Sequence, residues 1–278
     1  MSTPVIQTDI GREGWEAIVA DPATAVVSTD FDGVLSPLVE DPARSRPVEG
    51  ALDALARLAR SVNQVAIVTG RPALVVTELS GVTAHAGLER LVVLGHYGLE
   101  RWEASTGKVT SDPVPPGVTT ARDRLPGLLR EVGVPDAFVE DKDSSLAVHT
   151  RRLDDPVGAL ELLRGPLTAL ADETELRLEP GNLVLELRPP GIDKGVALRR
   201  LIASTGARAI LYAGDDLGDL AAFRAIQEQR DAGLLRAVLL ATRSSNATEL
   251  IDAADIVVDD PSGVVTVLTA LSDAISAR

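Results

Sequence analysis

The chain contains no cysteine, so neither a disulfide nor a thiol nucleophile is available to it. Its three histidines are scattered, which argues against a histidine metal centre, and neither His85 nor His149 is assigned a catalytic role. Aromatic residues are scarce: three Phe, two Trp and two Tyr. A core must therefore be built mostly from Leu, Val, Ala and Ile. Basic residues are outnumbered, with 27 Lys and Arg against 41 Asp and Glu and a net charge of −14. That balance argues against a nucleic-acid partner, which would call for a basic face. It leaves room for a small anionic substrate, because one site can be locally positive. No uncharged apolar run approaches the roughly 18 residues of a membrane span. The opening segment "MSTPVIQTDIGREGWEAIVADP" has no basic stretch followed by an apolar one, so it does not read as a signal peptide. A cytoplasmic monomer without membrane contact is the expectation.

What is present is an alternation. Short β-branched runs, "ATAVVSTD", "QVAIVTG", "ERLVVLGHYGLE", "RAILYAGDD", "RAVLLAT" and "ADIVVDD", read as buried strands. Amphipathic stretches, "VEGALDALARLAR", "KGVALRRLIAST" behind the N-cap Asp193, "LGDLAAFRAIQEQ" and "PSGVVTVLTALSDAI", read as helices. Such alternation implies a parallel sheet covered on both faces. The middle differs. "DAFVEDKDSSLAVHTR" and "ETELRLEPGNLVLELRP" each give two alternating segments around a polar turn, with a helical stretch between them. Turn-rich "SDPVPPGV" and "RPPGIDKG" border this region. The expected organisation is an α/β domain split into 1–108 and 192–278, with an α+β insert at 109–191.

Parallel α/β sheets place their sites at the carboxyl ends of strands. Here the first strand ends at Asp30 and Asp32, and the second at Thr69-Gly70-Arg71. A later strand ends at Gly214-Asp215-Asp216, with Asp219 one turn on, and Lys194 follows the cap at Asp193. Each residue alone has an ordinary explanation: a cap, a solvated turn, a surface lysine. Their joint occurrence at successive element ends supplies carboxylates for a hard divalent cation, a hydroxyl and an ammonium. That combination suits phosphoryl transfer. A phosphotransfer receiver domain also uses acids, Thr and Lys, but it is shorter and lacks an insert.

The ordered set Asp-x-Asp-Gly, Thr, Lys and Gly-Asp-Asp-x-x-Asp resembles the haloacid-dehalogenase superfamily. "DFDGVLSPLVEDP", "GLERW", "VEDKDSSLAVHTR", "LELRPPGIDKG" and "GDDLGDLAAF" are similar to the trehalose-6-phosphate phosphatases of that superfamily, in their actinobacterial type. The likeness runs from about Ala25 to Gly263. Departures from the usual pattern are Gly218 in place of a threonine, His96 one position early, and Thr150 where an aromatic is common.

The resemblance implies a Rossmann-like parallel-sheet core with an inserted α+β cap. It implies Asp30 as nucleophile and Asp32 as proton carrier, with Thr69 and Lys194 stabilising charge on the phosphate. Mg²⁺ is the implied cofactor, with Asp30, the Asp32 carbonyl and Asp215 as ligands, Asp216 through water, and Asp219 orienting Lys194 and a metal-bound water. Gly33 falls on the phosphate side, Arg71 either pairs with a core acid or stands on the phosphate side, and Glu140, Lys142 and Glu186 in the insert are expected to bind the sugar. In "LVLELRP", Leu183, Leu185 and Leu187 are expected to share the buried face, opposite Glu186. The implied reaction is hydrolysis of trehalose 6-phosphate. The alternatives are a related phosphorylated disaccharide or pseudo-disaccharide of aminocyclitol pathways, or a non-catalytic sugar-phosphate sensor.

Overall fold

The computed structural model describes residues 4–244 and 247–278. The chain divides into two compact units, Met1–Ser111 with Asp193–Arg278, and Asp112–Ile192.

The first unit opens with α1 (Asp9–Ala20), capped by the Thr8 hydroxyl, which accepts from the Gly11 amide. There follow β1 (Ala25–Thr29), α2 (Ala51–Ala59), β2 (Gln64–Val68), α3 (Ala73–Ser80), β3 (Val92–Gly95), β4 (Glu100–Glu103) and β5 (Lys108–Ser111). The second unit contains α4 (Pro116–Val132), β6 (Phe138–Asp141), β7 (Leu146–His149), α5 (Pro156–Glu173), β8 (Arg177–Gly181) and β9 (Val184–Arg188). The chain returns to the first unit with α6 (Lys194–Thr205), β10 (Ala209–Gly214), α7 (Leu220–Asp231), β11 (Arg236–Thr242), α8 (Thr248–Asp252), β12 (Ile256–Val258) and α9 (Pro261–Ser276).

The first unit holds an eight-stranded sheet in the order β12-β11-β10-β1-β2-β3-β4-β5. The six strands from β12 to β3 pair in parallel. Side chains of β1 alternate between two cores. Ala25 and Val27 pack with residues of α1, α2, α3 and α9. Val26 packs with residues of α6, α7 and α8 on the other side. Burial on both faces explains why these strands are continuous apolar runs. Strand β1 sits between β2 and β10, where strand order reverses, so its carboxyl end opens onto the crevice such sheets use for ligands.

The edge departs from the sequence reading. The strand in "ERLVVLGHYGLE" is β3, but two further strands follow it that the sequence reading lacks: β4 pairs antiparallel with β3, and β5 extends the hairpin. Between β3 and β4, His96, Tyr97 and Gly98 all have positive φ, of 47°, 58° and 91°. Two non-glycine residues in that region carry backbone strain. The His96 and Tyr97 amides donate to the carbonyls of Arg71 and Thr69, which fixes the loop after β2.

The second unit is a four-stranded antiparallel sheet in the order β6-β7-β9-β8. Leu146, Val148, Leu185 and Leu187 form its core with Val118, Leu125, Leu163 and Leu167 of the two helices. The opposite face carries one row across all four strands: Glu140, Ala147, Glu186 and Glu179. Leu183 does not join the buried leucines. It lies before β9 in the turn, half-buried, with a φ of 59°.

Candidate active site

Asp30 follows β1 directly, and its amide donates to the Ala213 carbonyl of β10 at 2.8 Å. Asp30 is buried, with 5% of its surface exposed. Oδ1 accepts from the Phe31 amide at 2.6 Å and Oδ2 from Lys194 Nζ at 2.5 Å. Lys194 begins α6 behind Asp193, whose side chain accepts from the Val196 amide. A helix start is a poor place for a buried cation, because the macrodipole is positive there. The position is held by two carboxylates, Asp30 and Asp219, the latter at 2.8 Å. Burial works against the ammonium, but Asp219 and Asp30 outweigh it and hold Lys194 well above the ordinary lysine range.

Asp219 is fully buried and saturated. Its Oδ1 accepts from Lys194 and from the Tyr212 hydroxyl at 2.5 Å. Its Oδ2 accepts from the Asp215 and Asp216 amides at 3.0 and 3.3 Å. A carboxylate offers about four acceptor positions, and all four are taken, so Asp219 shapes the loop and aims Lys194.

Asp30, Asp215, Asp216 and Asp219 each have a carboxylate oxygen within 4.8 Å of the others, and of the four Asp219 is already saturated. Burial, then the neighbouring acids Asp30, Asp216 and Asp219, push Asp215 up to about 9. Burial pushes Asp30 up to about 8 against the pull of Lys194. One buried ammonium does not balance four crowded acids. An all-oxygen donor set with excess negative charge fits a hard divalent cation.

The loops close tightly around this cluster. Gly33 has a φ of 71°, and a Cβ there would stand 2.1 Å from Asp215 Oδ2. Its carbonyl accepts from the hydroxyls of Thr242 and Ser244 at 2.8 and 2.7 Å. Thr69, at the end of β2, is buried and accepts from the Arg71 amide at 3.1 Å, which leaves its own hydroxyl proton to donate. The Asp32 carboxylate stands outside the four-acid cluster and is held by Arg71 through two bonds of 2.6 and 2.7 Å.

Within the second unit, Lys142 Nζ lies 3.4 Å from Glu186 Oε2, and Ser145 donates to Glu186 Oε1 at 2.6 Å. Glu140 meets His149 Nε2 at 2.9 Å. Asp141 faces the helix side and pairs with Arg122 of α4. Sequence reasoning names neither Ser45, Tyr212, Thr242 nor Ser244 among the site residues. Tyr212 carries a readable signal, a lone aromatic two residues before Gly214 in an otherwise aliphatic strand. Ser45, in a proline-flanked loop, carries none.

The parallel core, the acid crevice at its switch point and the α+β insert define a haloacid-dehalogenase-like fold. The C-terminal domain of Candida albicans trehalose-6-phosphate phosphatase shares it, with a TM-score of 0.73 at 19% identity over 98% of each chain. So does a haloacid dehalogenase-like hydrolase from Bacteroides thetaiotaomicron, with a TM-score of 0.64 at 16% identity over 88% of this chain and 98% of that one. Within this class the chain belongs to the trehalose-phosphatase family, whose family model matches residues 28–253. The trehalose-phosphate phosphatase of Mycobacterium avium (strain 104) is 31% identical over 252 residues, which cover 88% of this chain and 61% of that protein. The chain thus spans about three fifths of the length of that relative.

Proposed function

We propose that the chain is a Mg²⁺-dependent phosphatase that hydrolyses trehalose 6-phosphate to trehalose and phosphate through an aspartyl-phosphate on Asp30. The observation that carries this reading is the four-acid cluster at the end of β1 with Lys194 bonded to Asp30. It supplies a nucleophile and a fixed cation at one crevice, in a member of the trehalose-phosphatase family.

Asp30, Asp215 and the Asp32 carbonyl would hold the cation, with Asp216 beside them. Mg²⁺ there would offset the repulsion between Asp30 and the phosphate dianion. Asp30 attacks phosphorus, and the bond from phosphorus to the sugar oxygen breaks. Asp32 gives its proton to that oxygen and becomes a carboxylate. Water then attacks phosphorus, the bond to Asp30 breaks, phosphate leaves, and the water proton returns to Asp32. Positioned acid–base help of this kind is worth roughly 10²–10⁴-fold. Lys194 and the Thr69 hydroxyl stabilise charge on the transferring group. Gly33 lets the backbone pass close to it. Glu140, Lys142 and Glu186 of the second unit, the proposed cap, bind sugar hydroxyls through charge-assisted hydrogen bonds.

Among the described residues, no helix is long and apolar enough to cross a membrane. A released-phosphate assay tests the proposal, with trehalose 6-phosphate beside other sugar phosphates, with and without Mg²⁺. Preference for another phosphorylated disaccharide would correct the substrate. Absence of turnover on every sugar phosphate would favour a sensor.

A further inference from the structure

We infer that Arg71 is not a phosphate ligand but a positioning residue for Asp32, holding its carboxylate so that a single acceptor position, on Oδ2, remains for the proton in transit. This rests on the reading of Asp32 as proton carrier. Four of the five N–H donors of Arg71 are spent, including both of the parallel pair, Nε and Nη2, that would grip an anion. Nε donates to Asp32 Oδ2 at 2.6 Å, and Nη2 donates to Asp32 Oδ1 at 2.7 Å and to Ser45 Oγ at 3.1 Å. Nη1 donates to the Pro42 carbonyl at 2.9 Å. The guanidinium carbon also lies 6.0 Å from the centre of the Phe31 ring, within range of a cation–π contact. An arginine serving the phosphate would keep its parallel donors for the anion.

Asp32 Oδ1 accepts from Arg71 Nη2 and from Ser45 Oγ at 2.9 Å, while Oδ2 accepts from Arg71 Nε alone. Of about four acceptor positions on a carboxylate, three are occupied and the fourth lies on Oδ2. The planar fork also fixes the carboxylate plane, since two parallel bonds leave it no rotation. The Arg71 backbone is itself anchored, its amide to Thr69 Oγ1 and its carbonyl to the His96 amide. Arg71 therefore joins the loop of Asp32, the loop of Pro42 and Ser45, and the loop of Thr69.

Leaving-group chemistry separates positioning from phosphate binding. The sugar oxygen of trehalose 6-phosphate leaves as an alkoxide unless it is protonated, whereas p-nitrophenolate leaves without a proton. The test measures kcat/KM for trehalose 6-phosphate and p-nitrophenyl phosphate, and inhibition by inorganic phosphate, in the full chain with Mg²⁺. Arg71→Lys should lower kcat/KM on the sugar phosphate about 10- to 100-fold, part of the span open to acid–base help. The loss on the aryl phosphate should be below about threefold, with phosphate inhibition unchanged. Ser45→Ala, a smaller change that keeps the test open if the Arg71 variant does not fold, should show the same split at a few-fold.

Equal losses on both substrates with weaker phosphate inhibition would make Arg71 a phosphate ligand and overturn the inference, as would no loss on either. Asp32→Asn is the reference. If it shows the split and Arg71→Lys does not, the inference alone falls. If Asp32→Asn shows no split, or the wild type releases no phosphate from trehalose 6-phosphate, the proposed function falls and takes the inference with it.

Discussion

Gly33 and Asp215 touch so closely that a single added carbon on Gly33 would stand 2.1 Å from an Asp215 carboxylate oxygen. Two loops from distant parts of the sequence thus share one space, and the backbone at Gly33 is left-handed as well. Gly33→Ala should therefore both strain the backbone and displace Asp215. We expect a stability loss of roughly 1–3 kcal/mol and at least a tenfold fall in phosphatase activity, read from thermal unfolding and phosphate release. Wild-type activity in this variant would show that the acids tolerate a displaced Asp215.

Asp30→Asn should abolish turnover and leave the fold intact, because an amide is a poor nucleophile. Asp32→Asn should lose turnover of trehalose 6-phosphate, and on an aryl phosphate, whose leaving group needs no proton, it should trap phosphate on Asp30. Intact-protein mass spectrometry after a pulse of substrate reads the trapped phosphate. Near-normal turnover by purified Asp30→Asn would end the proposed mechanism.

The raised acids make a pH prediction whose sign is fixed. Asp30 and Asp215 titrate near 8 and 9 in the folded chain, against an ordinary 3.8. The folded state thus holds extra protons, and the stability they contribute is complete below about pH 4 and is lost as pH rises through 8 and 9. A cation competes with those protons, so Mg²⁺ should raise the unfolding temperature of chelated protein more at pH 8 than at pH 5. Equal effects at both values would mean that these acids do not hold the ion.

Glu140→Ala, Lys142→Ala and Glu186→Ala should each reduce kcat/KM for trehalose 6-phosphate by about 10- to 150-fold, the worth of one bond to a charged group. Hydrolysis of an aryl phosphate, which has no second sugar, should fall much less. Glu186→Ala also strands Ser145 and Lys142, so it should cost the most. Equal losses on both substrates would make this face structural.

The parts of the fold that could be read from sequence are those where one physical requirement dominates. The parallel strands are largely apolar because both faces are buried. Asp30, Thr69 and Asp215 stand where those runs stop, and the Asp193 cap announces the helix that begins with Lys194. Elements with mixed requirements stayed hidden. Helix α1 carries Gly11 and Gly14, poor helix formers, yet Gly14 packs so closely on β11 that a Cβ would stand 2.1 Å from the Ala237 carbonyl oxygen. Helix α4 opens on prolines and contains Pro126, so its start reads as a border turn. Pairing of Arg71 with a core acid is one of the two readings its position allows, but that the acid is Asp32 lies beyond sequence reasoning, because nothing in the order of residues says which anion a guanidinium will face.

The distance in sequence between Asp30 and Lys194, 164 residues, also bears on how the protein is made. At roughly 5–20 residues per second, on the order of ten seconds separate the synthesis of the nucleophile from that of its cation. Strand β1 waits as long for β10, and until then one of its edges is unpaired and open to wrong partners. Residues 112–192 have their own sheet and core, and folding of that unit within the interval would shorten the loop that must be closed.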